Sequence, residues 1–296
     1  MKNRMFYLSL NFLAILTLIF IYKKVPQEKK RFLIPLYLAY TGLNYIFEFF
    51  VLVVTRAYEY KPNVFKNQYF DNVFGSSASQ LFIVPSTSLL YAILDLKARW
   101  AWLLTSFLVL VERLFLKEKI YKHNWWSTPY TFIGIRSFYA IAKYWKQKIV
   151  VDKTKLNEML TLFFSIFVCY ATMNFFHVAI LKTCMFNIQL YPNRYRTHVL
   201  FSTIYSAFCA IFFVLSVVKK KWSVTTTTIL SFLSLETLFI RLNLITISNP
   251  YLFYSVSIAT KVSSIWIGHY VNNQLEKETH SKEKVASPPK HVSIKA

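Results

Sequence analysis

The stretch VLFSTIYSAFCAIFFVLSVV, residues 199–218, contains no charged side chain. An α-helix of about 20 apolar residues is long enough to cross the hydrocarbon core of a bilayer. Residues 5–22, 32–54 and 159–181 are similarly apolar and reach or approach the same length. Helices of soluble proteins rarely run so long without a polar face. The sequence therefore predicts an all-α fold, a polytopic bundle of transmembrane helices.

The composition agrees with this class. Hydrophobic residues make up 55% of the 296 residues and charged residues only 16%, whereas soluble domains are about 45–50% apolar and about 25% charged. The net charge of +22 would suggest nucleic acid on a soluble protein. Here the basic residues lie in short clusters between apolar segments, and no soluble domain is left over. We therefore expect the lipid bilayer as a partner, and no nucleic acid.

The apolar segments predict about nine membrane spans. They lie at residues 5–22, 32–54, 79–95, 100–116, 128–145, 157–181, 199–218, 222–243 and 250–271. The first is followed by lysines and by no small-residue cleavage site, so we interpret it as a retained helix rather than a signal peptide. Residues 128–145 contain Arg136 and Lys143, so this segment either crosses the membrane or lies in its interface.

Basic residues fall mainly in alternate loops. The clusters are Lys23, Lys24 and Lys29–Arg31; Lys97 and Arg99; Lys143, Lys146, Lys148, Lys153 and Lys155; and Lys219–Lys221. The positive-inside rule makes these loops cytoplasmic. It predicts a plasma-membrane protein with its N-terminus outside and its C-terminus inside. Residues 276–296 form a polar, basic and proline-containing tail that we expect to be disordered. The tail either contacts anionic lipid at the cytoplasmic face or is simply solvated.

Sequence matches predict an internal duplication, with residues 1–31 as an extra first helix and basic loop. Tyr40 and Asn44 match Tyr170 and Asn174 at a constant offset, and the order of matches continues along both halves. Further pairs are Pro62-Asn63 with Pro192-Asn193, Glu112 with Glu236, and Pro129-Tyr130 with Pro250-Tyr251. The repeats would be residues 32–150 and 151–275, with four spans each. An even number of spans makes such repeats parallel, and a site between them is expected.

Ionisable and polar residues inside the spans are the candidates for a site, because a charge at mid-bilayer costs about 2.5–3.5 kcal/mol. The candidates are Asn44, Glu48, Glu112, Arg136, Asn174, His177, Glu236, Arg241 and Lys261. Glu112 and Glu236 could bind a cation or carry a proton in a shared cavity. The structural alternative, which we favour, is that they pair with Arg136, Arg241 or Lys261 and fix helix packing.

Two other sets of candidates have similar alternatives. Asn44 and Asn174 could hydrogen-bond across the two repeats and line the same axis, or simply hold helices together. Glu48 and His177 lie one turn further along, at nearly equivalent positions, and an acid with a histidine would suit proton-linked work.

Signatures of soluble enzymes are missing from the sequence. Four glycines form no phosphate-binding loop, and there is no zinc-protease motif or nucleophile elbow. The three cysteines, Cys169, Cys184 and Cys209, have neither paired nor metal-binding spacing. We therefore expect no metal and no cofactor, and we favour a protein without catalytic activity. An intramembrane lipid-modifying enzyme is the minor alternative.

The segment Tyr121-Lys-His-Asn-Trp-Trp126, followed by Pro129-Tyr-Thr-Phe132, resembles part of a family of uncharacterised multi-pass membrane proteins from Gram-positive spore-forming bacteria. The resemblance implies a bacterial plasma membrane and no particular chemistry. Two functions remain open on the sequence. One is a small transporter-like protein with a polar site between two repeats. The other is a non-catalytic structural or sensory component that binds a protein partner or lipid.

Overall fold

The computed structural model describes residues 2–276, and most of these residues are helical. The predicted all-α class is confirmed. The helices are α1 Lys2–Lys24, α2 Leu33–Glu48, α3 Gln68–Ser77, α4 Val84–Ile93, α5 Ala98–Lys117, α6 Thr128–Lys146, α7 Lys155–Leu181, α8 Arg194–Lys219, α9 Trp222–Arg241 and α10 Pro250–Glu276. A 3₁₀ helix over Gln27–Phe32 leads into α2. Of the predicted tail, residues 277–296 lie outside the described part of the chain.

Three π-helical segments extend or join these helices. Phe49–Val54 prolongs α2, Ala78–Ile83 joins α3 to α4, and Gln147–Val151 prolongs α6. With these extensions, residues 2–276 form nine continuous helical segments. All three π-helical segments belong to the first half of the chain. Single π-helical turns are uncommon and are frequently found at functional sites.

Within residues 2–276, five helical segments are long and apolar enough to cross a membrane. They are α1, the continuous segment Gln27–Val54, α7, α8 and α9. Many of their large apolar side chains are exposed, among them Phe12, Ile211 and Leu230. In a soluble protein this exposure would be a liability. In a bilayer these side chains would face lipid.

The helix that contains most of the predicted span 79–95 begins eleven residues before that span, at Gln68. Its first turns are polar, and hydropathy therefore misses them. Asp71, Asn72 and Ser76 are nevertheless buried, because they face the protein interior instead of lipid. Asn67 caps the helix with its side-chain oxygen, which accepts from the backbone N–H groups of Tyr69 and Phe70.

Four short strands, which the sequence analysis did not predict, connect helix ends. β1 Tyr58–Tyr60 pairs with β2 Tyr121–His123, and β3 Cys184–Phe186 pairs with β4 Ile245–Ile247, both antiparallel. After α1, the order helix, strand, helix, helix, strand, helix occurs over residues 33–151 and again over 155–276. The two halves of the described chain thus share one order of elements.

Helix caps show where the second helix of each half begins. Asn193 accepts from the backbone of Tyr195 and Arg196, as Asn67 does at the start of α3. The residue that corresponds in role to Asn193 is therefore Asn67. The sequence match of Pro62-Asn63 with Pro192-Asn193 therefore lies four residues before the corresponding cap of the first half. Asn63 itself lies in the loop before α3, with a positive φ of 57°.

The two halves meet where α2 packs along α7. Gly42 allows a close approach there, because a Cβ atom added to it would lie 2.4 Å from the Cβ of Phe164. Small residues let membrane helices approach in this way. The Tyr45 hydroxyl and Thr172 Oγ1 lie 2.8 Å apart across the same contact. The largest buried apolar cluster surrounds it and includes the fully buried Tyr40.

A second connection between the halves lies at the end of Phe49–Val54, the π-helical segment that prolongs α2. Arg196 of α8 donates from Nε to the carbonyl of Val53 and from its terminal nitrogen to the carbonyl of Val54, each at 2.8 Å. The last carbonyls of a helix have no partner within it. Arg196 supplies that partner from the other half.

Helix α6 packs in the bundle, against α4 and α5. Tyr139 and Ala142 of α6 are fully buried, and Lys146 near its end pairs with Asp95 at 2.7 Å. This segment, predicted over residues 128–145 either to cross the membrane or to lie in its interface, is thus enclosed by neighbouring helices on one side.

Candidate functional site

A cavity of about 470 Å³ lies within the first half of the chain. Its walls come from α1, α2, β1, α5, β2, α6 and the α3–α4 rod, which is the continuous helical segment Gln68–Ile93. Of the nine residues predicted as site candidates, it collects Asn44, Glu48 and Glu112. Every residue that lines it precedes α7. The cavity is therefore formed by one half and α1, whereas a site between the halves was expected from the sequence.

Glu48 occupies an unusual position in this cavity. Glu48 is only 5% exposed, and Tyr58 is its hydrogen-bonding neighbour. The second carboxylate oxygen, Oε2, is buried and has no hydrogen-bond partner. Glu48 also lines a smaller cavity of about 90 Å³, which lies between α2, the α3–α4 rod, α7 and α8. Glu48 therefore stands between a cavity of the first half and a cavity at the junction of the two halves.

Glu112 lies on α5 and faces the larger cavity. Its Oε1 accepts a hydrogen bond from the Thr128 hydroxyl at 2.9 Å. His123 Nε2 lies 3.0 Å from the same oxygen, without the alignment of a hydrogen bond. Asn44, 6% exposed, contributes a buried side-chain nitrogen that also has no partner. Two carboxylates and one free amide donor thus line one cavity.

Tyrosines of the first strand pair form part of the cavity wall. Tyr58, Tyr60 and Tyr121 are packed together, with the rings of Tyr60 and Tyr121 4.8 Å apart. Burial, and then the negative charge of Glu48, raises the pKa of Tyr58 well above its usual range. For Tyr121 the causes of a raised pKa are burial, Tyr60, Glu112 and Glu48. The phenols therefore stay neutral and act as hydrogen-bond donors and aromatic faces.

The second half contains a buried ion pair whose polar groups all have hydrogen-bond partners. Lys261 is fully buried, and its Nζ lies 2.6 Å from Glu236 Oε1. Tyr205 donates to the same oxygen at 3.0 Å and Ser257 donates to Oε2 at 2.6 Å. Ser257 also accepts from Lys261. All four groups are satisfied, which matches the alternative that Glu236 pairs with Lys261.

Glu112 and Glu236 occupy corresponding positions, each five residues before the last residue of its helix. Their surroundings nevertheless differ. Glu112 faces a cavity, whereas Glu236 faces a buried ammonium. The expectation of one cavity shared by both carboxylates is therefore not met, because each side chain points into its own half.

The two predicted asparagines also have different partners. Asn174 donates to Ser206 at 3.1 Å, and its Oδ1 lies 3.0 Å from His177 Nε2. His177 Nδ1 lies 2.6 Å from Thr183 Oγ1. These bonds stay within the second half, while Asn44 faces the cavity of the first half. The hydrogen bond expected between the two asparagines is thus replaced by local bonds of Asn174, and His177 is not joined to Glu48.

The predicted arginines do not pair with either carboxylate. Arg136 stacks over the ring of Trp102 at 4.7 Å. Arg241 is exposed at the end of α9. Among residues 2–276, no group of three or more His, Cys, Asp or Glu side chains is arranged to hold a metal ion.

The aromatic wall and one structural carboxylate, Asp71, were not predicted from the sequence. The alternation in Tyr58-Glu-Tyr60 fits a strand, but three residues are too few to establish a period of two. Asp71 accepts from the backbone N–H groups of Asn63, Val64 and Phe65 and so holds the loop before α3. No family model matches the chain, and no curated protein or solved structure matches it either.

Proposed function

We propose that the protein is a multi-pass membrane protein of transporter type, in which a small solute passes Glu48. The observation that carries the proposal is the position of this carboxylate, buried and incompletely hydrogen-bonded, on the walls of two neighbouring cavities. Ionisable side chains within membrane segments are costly and typically serve solute or proton pathways. Two π-helical segments, Phe49–Val54 and Ala78–Ile83, border the same cavities and add support.

The proposed architecture has nine crossings, with α1 followed by two parallel repeats. The shared order of elements and the paired caps Asn67 and Asn193 support the repeats. Asn3 and Arg4 of α1 bond to the loop after β1, which places the strands at the N-terminal end of α1. In the proposed orientation that end is outside the plasma membrane of a spore-forming bacterium. The basic loops and the tail would then meet the cytoplasmic leaflet, where anionic lipid is available.

The two proposed repeats would have different tasks. The first holds the cavity, and the second holds the satisfied pair of Glu236 and Lys261. An ion pair with complete hydrogen bonding is suited to fixing helix register. The path is therefore proposed within the first repeat and at its junction with the second. This revises the symmetric site expected from the sequence.

Flux into proteoliposomes tests the proposal. The full chain is reconstituted, and uptake is measured for three probes of different charge: benzyltrimethylammonium, benzenesulfonate and glucose. We expect uptake of at least one probe above protein-free vesicles, and loss of that uptake in Glu48→Gln. Glu59→Gln is the matched control, because it removes the same charge from β1 at a residue outside both cavities. No uptake of any probe by correctly folded protein contradicts the transporter proposal.

The second candidate is a structural or sensory component that binds a protein partner or lipid. The ion-pair cluster of the second half favours it, because complete hydrogen bonding among Glu236, Lys261, Tyr205 and Ser257 suits a rigid scaffold. A ligand that binds the cavity without crossing the membrane would favour the sensory form of this candidate.

A further inference from the structure

The electrostatic character of the larger cavity is one-sided. Glu48 and Glu112 line it, and no lysine, arginine or histidine side chain does so among the described residues. His123 Nε2 lies 3.0 Å from Glu112 Oε1, so Glu48 is the carboxylate without a basic neighbour. A buried carboxylate without a cationic partner is strongly unfavourable, because the lost hydration is not replaced. Oε2 of Glu48 has neither a cation nor a hydrogen-bond donor. A positively charged ligand bound in the cavity would therefore supply the missing partner of Glu48.

The remaining wall is mainly apolar and aromatic, with Ser79, Thr131 and Ser137 as further polar residues. It includes Tyr58, Tyr60, Tyr121, Trp126 and Tyr130. Aromatic faces attract ammonium groups, most strongly where water is excluded. A cavity of about 470 Å³ falls within the range of small-molecule sites, about 300–1,000 Å³. Charge, aromatic faces and size together favour an organic cation over a bare metal ion, which requires several oxygen or nitrogen ligands.

An opening of the cavity lies on the outer surface of the helix bundle. Phe47 on α2 and Tyr130 and Ile141 on α6 line the cavity and are themselves exposed. In a bilayer this surface would face lipid. A ligand with an apolar body could therefore reach the carboxylates from the membrane.

We propose that the cavity binds an organic ammonium ion with an apolar, preferably aromatic, body, and that its charged group faces Glu48 and Glu112. The assignment rests on the proposed function, since it names the ligand class of the same cavity. Asn44 offers its unpartnered amide as a donor to a polar group of the ligand. The aromatic wall contacts the body of the ligand.

Binding to the detergent-purified full chain tests the ligand class by isothermal titration calorimetry. Benzyltrimethylammonium combines a permanent positive charge with an aromatic body. Tetramethylammonium keeps the charge without the body, and benzenesulfonate keeps the body with a negative charge. We expect binding in this order, with benzenesulfonate not binding. Failure of benzyltrimethylammonium to bind, or equal binding of benzenesulfonate, overturns the assignment.

Two variants locate the site. Glu48→Gln is expected to weaken benzyltrimethylammonium binding about tenfold or more, because a buried charge contact is lost. Glu59→Gln is expected to bind as the unmodified protein does. Gly134→Leu fills the cavity from α6, where a Cβ atom would meet nothing within 4 Å. It should therefore fold normally and lose binding. Unchanged binding in both Glu48→Gln and Gly134→Leu overturns the location.

The binding assay needs no transport, so the two proposals fail separately. Binding of benzyltrimethylammonium with no uptake of any probe retains the ammonium site and removes the transporter. Uptake of benzenesulfonate or glucose without binding of benzyltrimethylammonium removes the ammonium site and retains the transporter.

Discussion

Breaking the Glu236–Lys261 pair should destabilise the second half strongly. Lys261 is fully buried and Glu236 is 4% exposed, so neither charge can turn to water. Lys261→Met leaves the carboxylate with only the hydroxyl donors of Tyr205 and Ser257. Removing one partner of a buried pair costs about 3–5 kcal/mol, because the other charge stays uncompensated.

Thermal unfolding of the protein in detergent measures this loss. Proteins of 150–250 residues lose about 2–4 °C of melting temperature per kcal/mol, so Lys261→Met should lower it by about 6–20 °C. Glu236→Gln should act similarly, by leaving the ammonium unpaired. The double variant should recover most of the loss, because it leaves no buried charge.

The exposed pair Arg56–Glu59 provides the control. Its atoms lie 3.3 Å apart near water, and exposed pairs contribute about 0–1 kcal/mol. Arg56→Met should therefore barely change the melting temperature. The reasoning is refuted if Lys261→Met is equally harmless, or if the double variant is as unstable as the two single changes added together.

Three further predictions concern other contacts. Asp71→Ala should cost at least about 2 kcal/mol in thermal unfolding, because three backbone donors lose a charged acceptor; a neutral result contradicts its role. Gly42→Ala should lower the free energy of unfolding by about 1–3 kcal/mol, because the added methyl group overpacks against Phe164. Gly134→Ala, the control, should be neutral or stabilising. Equal effects of the two changes would argue against the α2–α7 contact. Burial raises the pKa of the Cys184 thiol to about 12. In a variant with the other two cysteines replaced, maleimide labelling of Cys184 should therefore be slow, and its rate should still rise from pH 8 to pH 10. A labelling rate that levels off near pH 9 contradicts this prediction.

Hydropathy predicted most helices well, because their exposed faces are apolar and so leave long apolar runs in the sequence. Residues 157–181 and 199–218 lie within α7 and α8, as expected. It failed for α3, where Asp71 and Asn72 face the protein interior. A hydropathy window measures composition and cannot tell a polar residue in a protein core from one in a loop. The short strands escaped for a related reason, since three residues are too few to establish a period.

Three of the nine candidate residues line one cavity, but the arrangement of the candidates was not predicted. Glu48, Glu112 and Asn44 were identified because polar groups are rare in apolar segments. Pairing depends on which face of each helix meets its neighbours, and a single sequence does not fix that rotation. Glu112 and Glu236 therefore matched in position along their helices and yet face different surroundings, a cavity in one case and Lys261 in the other.

The most direct test of the central claim is to locate a bound cation. A heavy-atom ligand, 4-bromobenzyltrimethylammonium, would be diffused into crystals of the full chain, and the bromine located by its anomalous scattering. Our account predicts one bromine site in the cavity lined by Glu48 and Glu112, absent in Gly134→Leu. A bromine site only elsewhere on the protein, or one in the cavity that persists unchanged in Glu48→Gln, would contradict it.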